Sequence, residues 1–267
     1  MTDAFIVDAI RTPAGKRKGG LSGVHPADLG AHVISTLIER TGIDPAEVDD
    51  VIFGCVDQIG AQAGNVARTA WLSAGMPESV PGTTIDRQCG SSQQAVHFAA
   101  QGVSAGTYDL VVVGGVEVMS MVPIASAGID GEQLGYGTPL GGKGWAARYG
   151  NQEISQFRGA ELIAEKWNIS RQEMEGFALE SHQRADRAWA EGRFDREVAP
   201  FNDVVRDEGI RPDTTIEKMA SIDPIVENGR VTAALWSQIA EDGGDMLIAS
   251  GAAVRRAGLK QNDPRTR

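Results

Sequence analysis

One short stretch concentrates groups able to do chemistry: Asp86-Arg87-Gln88-Cys89-Gly90-Ser91-Ser92-Gln93-Gln94-Ala95. The cysteine stands between a β-rich segment, Thr83 to Asp86, and a long helix-compatible run, so its thiol falls at a strand-to-helix junction. Backbone N–H groups and the dipole at a helix N-terminus favour the thiolate, lowering a pKa that is otherwise about 8.5. Such a thiolate attacks carbonyl carbons and can hold an acyl group covalently. The opposing reading is a small buried hydrophobe, which is what most lone cysteines are. Residue chemistry alone leaves these two readings level.

The elements that would hold Cys89 alternate between β and α. Ala4 to Ile10 reads as a first strand ended by Arg11-Thr12-Pro13 and Gly15. Leu29, Val33, Ile34, Leu37 and Ile38 recur at helical spacing, and Asp44-Pro45-Ala46-Glu47 reads as a short capped turn. Val51 to Cys55 is a second strand, Asn65 to Ala74 a helix closed by Gly75, and Leu110 to Val113 a buried strand. Gly90 to Ala105 is nearly all Ala, Gly, Ser, Gln and Val, without a charged face, and is expected to be a helix buried on all sides between layers, with close cover that can come from outside this chain. From Met121 to Gly150, Pro, Gly and polar residues dominate. Two helical stretches follow, Glu153 to Trp167 and Arg171 to Glu191, the second opened by the capping box Ser170 with Glu173. Past Gly229, Met246 to Ser250 reads as a short strand and Ala252 to Ala257 as a helix start. Lys260 to Arg267 is unpatterned and expected to fray.

Composition narrows the class. With 267 residues, 42% of them hydrophobic, the chain can bury a sizeable core as one large domain or two smaller ones. A net charge of -11 argues against nucleic acid as partner, since phosphate backbones need clustered Lys and Arg. Clusters at Arg11, Lys16, Arg17 and Lys18, and at Arg206 and Arg211, leave room for an anionic small ligand, although a solvated surface loop is the favoured reading of each. Neither a signal-peptide pattern nor an apolar run of about 18 residues is present, so the expectation is a cytoplasmic protein with no membrane partner. Cys55 and Cys89 lack disulfide-framework or metal-ligand spacing and read as reduced thiols with no metal, Cys55 as a core residue. His25, His32, His97 and His182 could each be proposed as a general base. Their settings favour structural roles.

The stretch around Cys89 resembles the nucleophile motif of the thiolases, the 3-ketoacyl-CoA acyltransferases. The similarity continues in order along nearly the whole chain. Arg11-Thr12-Pro13 with Gly15-Lys16 looks like the family's opening, and Gly54-Cys55-Val56 with Gly60, Gln62, Asn65, Ala67 and Arg68 like its second block. Gly114-Gly115-Val116-Glu117-Val118-Met119-Ser120 matches another. Phe177-Ala178-Leu179-Glu180-Ser181-His182 with Trp189, Gly192, Arg193 and Phe194 resembles the family's loop domain. An ordered series of blocks is far more specific than one motif, and it shifts the balance to Cys89 as nucleophile.

The resemblance implies an α/β protein: a thiolase-like layered αβα half with an inserted, mostly helical loop domain. Residues 1–120 would form the N-terminal domain, 121–230 the loop domain, 231–257 the return to the first domain and 258–267 a polar tail, with the C-terminal domain missing. It implies thiolytic cleavage of 3-ketoacyl-CoA by CoA through a Cys89 acyl-enzyme, the Cys89 N–H giving part of an oxyanion hole. Coenzyme A enters as substrate, with no bound cofactor. Arg211 would lie near its nucleotide end and Ser237 near its pantetheine. Glu153-Ile154-Ser155-Gln156-Phe157-Arg158-Gly159 and Gln93-Gln94 look more like degradative, actinobacterial, steroid-directed members than like acetoacetyl-CoA synthases.

Departures from the pattern qualify these expectations. Thr232-Ala233 is followed by Ala234-Leu235-Trp236 where the family has Gly-Asn, and Glu241-Asp242-Gly243-Gly244-Asp245 interrupts an apolar strand, so a poorly folded edge is expected there. A buried, unpaired carboxylate at Asp245 would cost several kcal/mol if charged. The family's Gly-His-Pro histidine, second cysteine and Asn-Glu-Ala-Phe segment do not occur here. Positioned acid–base groups contribute roughly 10²–10⁴ in rate. Two readings follow: an enzyme whose site a complementing C-terminal half completes, or an inactive module that binds acyl-CoA or pairs with related subunits as a homo-oligomer, a dimer being implied.

Overall fold

The computed structural model describes residues 3–259. In chain order the elements are β1 (Ala4–Arg11), β2 (Gly15–Lys16), α1 (Pro26–Thr41), β3 (Asp50–Gly54), α2 (Val66–Ser73), β4 (Gly82–Ile85), α3 (Ser91–Ala105) and β5 (Leu110–Val118). They continue as α4 (Ser126–Gln133), α5 (Lys143–Tyr149), α6 (Gln156–Lys166), α7 (Arg171–Ala190), α8 (Ile216–Ala220), β6 (Ala240–Ser250) and α9 (Gly251–Arg256). The expectation for Lys260 to Arg267 lies outside the described residues.

The sheet runs β1-β6-β5-β3-β4, with β2 attached to β6. β4, β3 and β5 are parallel, whereas β6 runs antiparallel to both β5 and β1. Strand alternation splits the apolar side chains between the two faces. Val51, Phe53, Val112 and Leu247 pack with Leu29, Val33, Ile34 and Leu37 of α1 and with Ala70 and Trp71 of α2. Ile52, Val111, Val113 and Ile248 pack instead with Ala95, Ala99 and Val103 of α3. The α/β layering of helix, sheet and helix follows from that division.

Local signals explain the boundaries. α1 begins at Pro26 because His25 accepts the Ala27 N–H on its ring nitrogen and proline tolerates the first turn; it ends where Gly42, at φ 67°, donates its N–H to Ile38. α7 carries the full capping box of Ser170 and Glu173. The chain divides into two compact units. One contains the sheet and includes Asp195–Glu208; the other is Gly128–Phe194 with Gly209–Gln238.

Three expectations need correction. α3 is not buried all round within this chain: Ala95, Ala99 and Val103 face the sheet, while Ser92, Gln93, His97, Phe98 and Gln101 are exposed. Its small residues pack the sheet side closely, and its uncharged outer face misled because Gln, Ser and His are polar without charge. Secondly, the Gly- and Pro-rich stretch after Met121 contains two short helices, α4 and α5. Thirdly, the disturbed segment before Met246 is strand throughout: β6 begins at Ala240 and is paired on both sides. Asp245 sits within it opposite Gly114, 2% exposed, and neither carboxyl oxygen has a hydrogen-bond partner. Burial pushes this carboxyl well above the usual carboxylate range, and the strand keeps its ladder across it.

Candidate functional site

Cys89 is reached through an anchored strand. Asn65 caps α2 by accepting the Arg68 N–H at 3.3 Å, donates to the Gly82 carbonyl at 2.8 Å and accepts the Thr84 hydroxyl at 2.9 Å. The Arg68 guanidinium donates to the carbonyls of Glu78, at 2.7 Å, and Val80. These bonds tie β4 to α2 just before the nucleophile turn.

The turn closes on itself. Gln88 takes a left-handed backbone, φ 49°, uncommon for a non-glycine residue. Asp86 accepts the Gln88 N–H at 2.6 Å, and the Ser91 hydroxyl accepts the Arg87 N–H at 2.9 Å while donating to the Gln88 carbonyl at 2.6 Å. The N–H groups of Gly90 and Ser91 also bond within the turn, to Arg87 and Gln88, and an isolated bridge pairs Arg87 with Cys89. Gly90, the N-cap residue of α3, lends no side-chain cap. Cys89 therefore precedes a helix start whose positive dipole end is uncapped by side chains.

Two glycines set how closely that helix start approaches the sheet. A Cβ on Gly54 would lie 2.3 Å from the Ser92 nitrogen and 2.4 Å from the Ser91 carbonyl carbon. One on Gly115 would lie 2.1 Å from the Ser92 hydroxyl and 2.5 Å from the Gly54 carbonyl oxygen. The end of β3 and the middle of β5 thus form a seat without side chains under the first turn of α3.

The two cysteines differ sharply. Cys89 is exposed; Cys55 is buried. Burial, and then Glu117, pushes the Cys55 thiol far up, which keeps it protonated. Glu117 is itself spoken for: it accepts the Val56 N–H at 2.7 Å and the Gln62 amide at 2.5 Å. Gln62, fully buried, also accepts the Val118 N–H at 2.8 Å. Sequence reasoning noted Gln62 and Glu117 only as motif letters. Their role in locking the loop after β3 needed the pairing of β3 with β5.

Arg211 and Ser237 both belong to the second unit. Arg211 lines a cavity of about 320 Å³. Its apolar wall is Met219, Ile222, Ala233, Ala234 and Trp236, and its polar groups are His182, Arg211, Asp213, Thr214, Lys218 and Gln238. Ser237 is exposed and lies outside that lining, between Trp236 and Gln238. Trp236 stacks on Phe157 with ring centroids 4.0 Å apart. Gln238 donates to the Gly209 carbonyl at 2.7 Å, and Lys218 to the Asp213 carbonyl at 2.8 Å. Arg171 ties α7 to α8: it pairs with Glu175 at 2.7 Å and donates to the carbonyls of Met219, Ala220 and Ile222. Cations beside an aromatic and apolar wall suit a phosphorylated, ring-bearing ligand.

The remaining candidates take structural places. Arg11 is held by Glu197 at 2.9 Å and Asp207 at 2.7 Å. His25 caps α1, His97 is exposed, and His32 stacks edge-on to Phe201 with a buried Nε2 that has no partner, unlike the satisfied ring expected. Among the described residues no group of three His, Cys, Asp or Glu side chains is placed to hold a metal, and no helix is long and apolar enough to cross a membrane.

Residues 4–252 match the family described as thiolase, N-terminal domain. The chain is 54% identical to the steroid 3-ketoacyl-CoA thiolase FadA6 of Mycobacterium tuberculosis, over all of this chain and 66% of that protein. It is 39% identical to a 3-ketoacyl-CoA thiolase of Pseudoalteromonas translucida, over 97% of this chain and 67% of that one. Among solved structures, the acetyl-CoA acetyltransferase of Bacillus anthracis superposes with a TM-score of 0.81 at 31% identity, over 98% of this chain and 68% of that one. The chain thus spans about two thirds of the length of these relatives, and it belongs to the thiolase family.

Proposed function

We propose that this member of the thiolase family carries the nucleophile of an acyl-CoA acyltransferase, Cys89, and that it acts in the degradative direction on 3-ketoacyl-CoA. The observation that supports this most strongly is the exposed thiol at the start of α3, on a seat of glycines, within a chain that matches the family from residue 4 to 252. The sulfur attacks the 3-keto carbon; the bond between C2 and C3 breaks, acetyl-CoA departs after its carbanion takes a proton, and the acyl group stays on Cys89. CoA thiolate then attacks the thioester and frees the enzyme. The Cys89 N–H serves the developing oxyanion.

CoA is assigned to the cavity of the second unit, the loop domain in this reading, with Arg211 at its phosphates and Ser237 at the pantetheine as it leaves. Steroid-derived acyl chains are the preferred substrate class, supported by the higher identity to the steroid 3-ketoacyl-CoA thiolase FadA6 than to the 3-ketoacyl-CoA thiolase of Pseudoalteromonas translucida. Turnover requires a general base beyond the residues placed around Cys89, supplied by a complementing C-terminal half. The same reading makes the protein a cytoplasmic homo-oligomer.

A second reading is acyl-CoA binding without turnover, favoured by the placement of the cavity in the loop unit, whose lining does not include Cys89. Mixing the chain with acetyl-CoA separates the two. About one equivalent of free CoA per chain, lost in Cys89→Ala, supports the acyltransferase. Saturable binding with no CoA release contradicts it.

A further inference from the structure

His182 lies on α7, half-buried, with a role the sequence left as structural. Its Nδ1 accepts the backbone N–H of Arg211 at 3.2 Å, across 29 positions of sequence. An accepting Nδ1 leaves the ring proton on Nε2, so the bond requires the neutral imidazole. Both residues line the cavity. Arg211 also opens a tight turn in which the Thr214 N–H donates back to the Arg211 carbonyl at 3.3 Å. One ring nitrogen and one turn therefore fix the backbone from which the Arg211 guanidinium projects.

We propose that His182 is a positioning residue whose neutral ring seats the Arg211 main chain for ligand binding, and that protonating this ring loosens the cavity's hold on the nucleotide end of CoA. The proposal rests on the assignment of CoA to this cavity. A second proton on the imidazole turns Nδ1 from acceptor to donor, opposing the Arg211 N–H head-on. The groups facing the ring explain why it stays neutral near pH 7. Burial and the Arg211 charge both hold its pKa below the usual histidine value. The lining adds Lys218 as a further cation and Asp213 as the one carboxylate, and Asp186 lies one turn along α7.

The alternative, a cationic His182 that attracts phosphate directly, predicts the opposite sign. Calorimetric titration of CoA into the whole chain between about pH 8 and pH 5 decides between them, with His182→Gln and His182→Leu alongside. Gln can accept the Arg211 N–H but does not titrate. The proposal predicts about fivefold weaker CoA binding by the parent at the acid end, the size of one hydrogen bond. His182→Gln should bind nearly as well as the parent at pH 8 and lose that excess acid dependence, while His182→Leu should be weak at both ends. The ligand's own phosphate titration is common to all three proteins. Tighter binding by the parent in acid, or the same pH profile in parent and His182→Gln, overturns the proposal alone. A parent that does not bind CoA at pH 8 overturns the cavity assignment and the proposal with it.

Discussion

The nucleophile turn and the loop-unit cavity are built by different means. Around Cys89, contacts between near neighbours in sequence and close backbone approach do the work: a left-handed Gln88, a turn closed by the side chains of Asp86 and Ser91, and two glycines under the first turn of α3. In the cavity, side chains do it, through His182 on Arg211, Arg171 on three carbonyls of the α8 turn, and Gln238 on Gly209. The first arrangement is compact in sequence and tolerates almost no added volume. The second gathers residues from 171 to 238, and each of its tethers can be cut separately.

Gly54→Ala is the sharpest way to break this contrast. Its Cβ would meet backbone atoms that cannot turn away, so it should cost about 3 kcal/mol in chemical denaturation and remove acylation of Cys89 even where the chain still folds. An equally large loss of CoA binding would show that the two regions are not independent. Arg171→Ala comes next. Cutting a partly buried guanidinium from Glu175 and three carbonyls should cost about 2 kcal/mol and weaken CoA binding, with the rate of Cys89 acylation at saturating acyl-CoA unchanged.

The same distinction explains what could be read from sequence. Leu29 through Ile38 declared α1 by spacing, and Cys89 stood out because a strand, a turn and a helix start are contiguous around it. Arg211 entered only through family resemblance. Its partner His182 was invisible, because nothing in the segment Glu180-Ser181-His182 says that a turn 29 residues later will return to it. β6 was misjudged for another reason. Glu241, Asp242 and Asp245 interrupt an apolar run and suggest a poorly folded edge, yet pairing with β1 and β5 carries the strand through them, with Asp245 buried and unpaired inside it.

Asp245→Ala gives the smallest expected effect of the three and has the opposite sign. The folded carboxyl pKa is raised by burial above its unfolded value of about 3.9, so the folded state binds the extra proton. The penalty is absent below the unfolded pKa and grows as pH rises toward the folded one. Asp245→Ala should therefore be more stable than the parent by about 1–2 kcal/mol at neutral pH, the gap closing as the pH falls toward about 4. Thermal unfolding of both proteins over that range measures it; a gap that does not change with pH would mean that Asp245 does not titrate as its burial requires.

The central claim is that Cys89 is a working nucleophile. Its most direct test is the intact mass of the chain after mixing with acetyl-CoA or acetoacetyl-CoA, with Cys89→Ala in parallel and the adduct located by peptide mapping. The account predicts an acetyl adduct of about 42 Da on the parent at Cys89, absent from the variant. An unmodified parent, shown by circular dichroism to be folded, would contradict it.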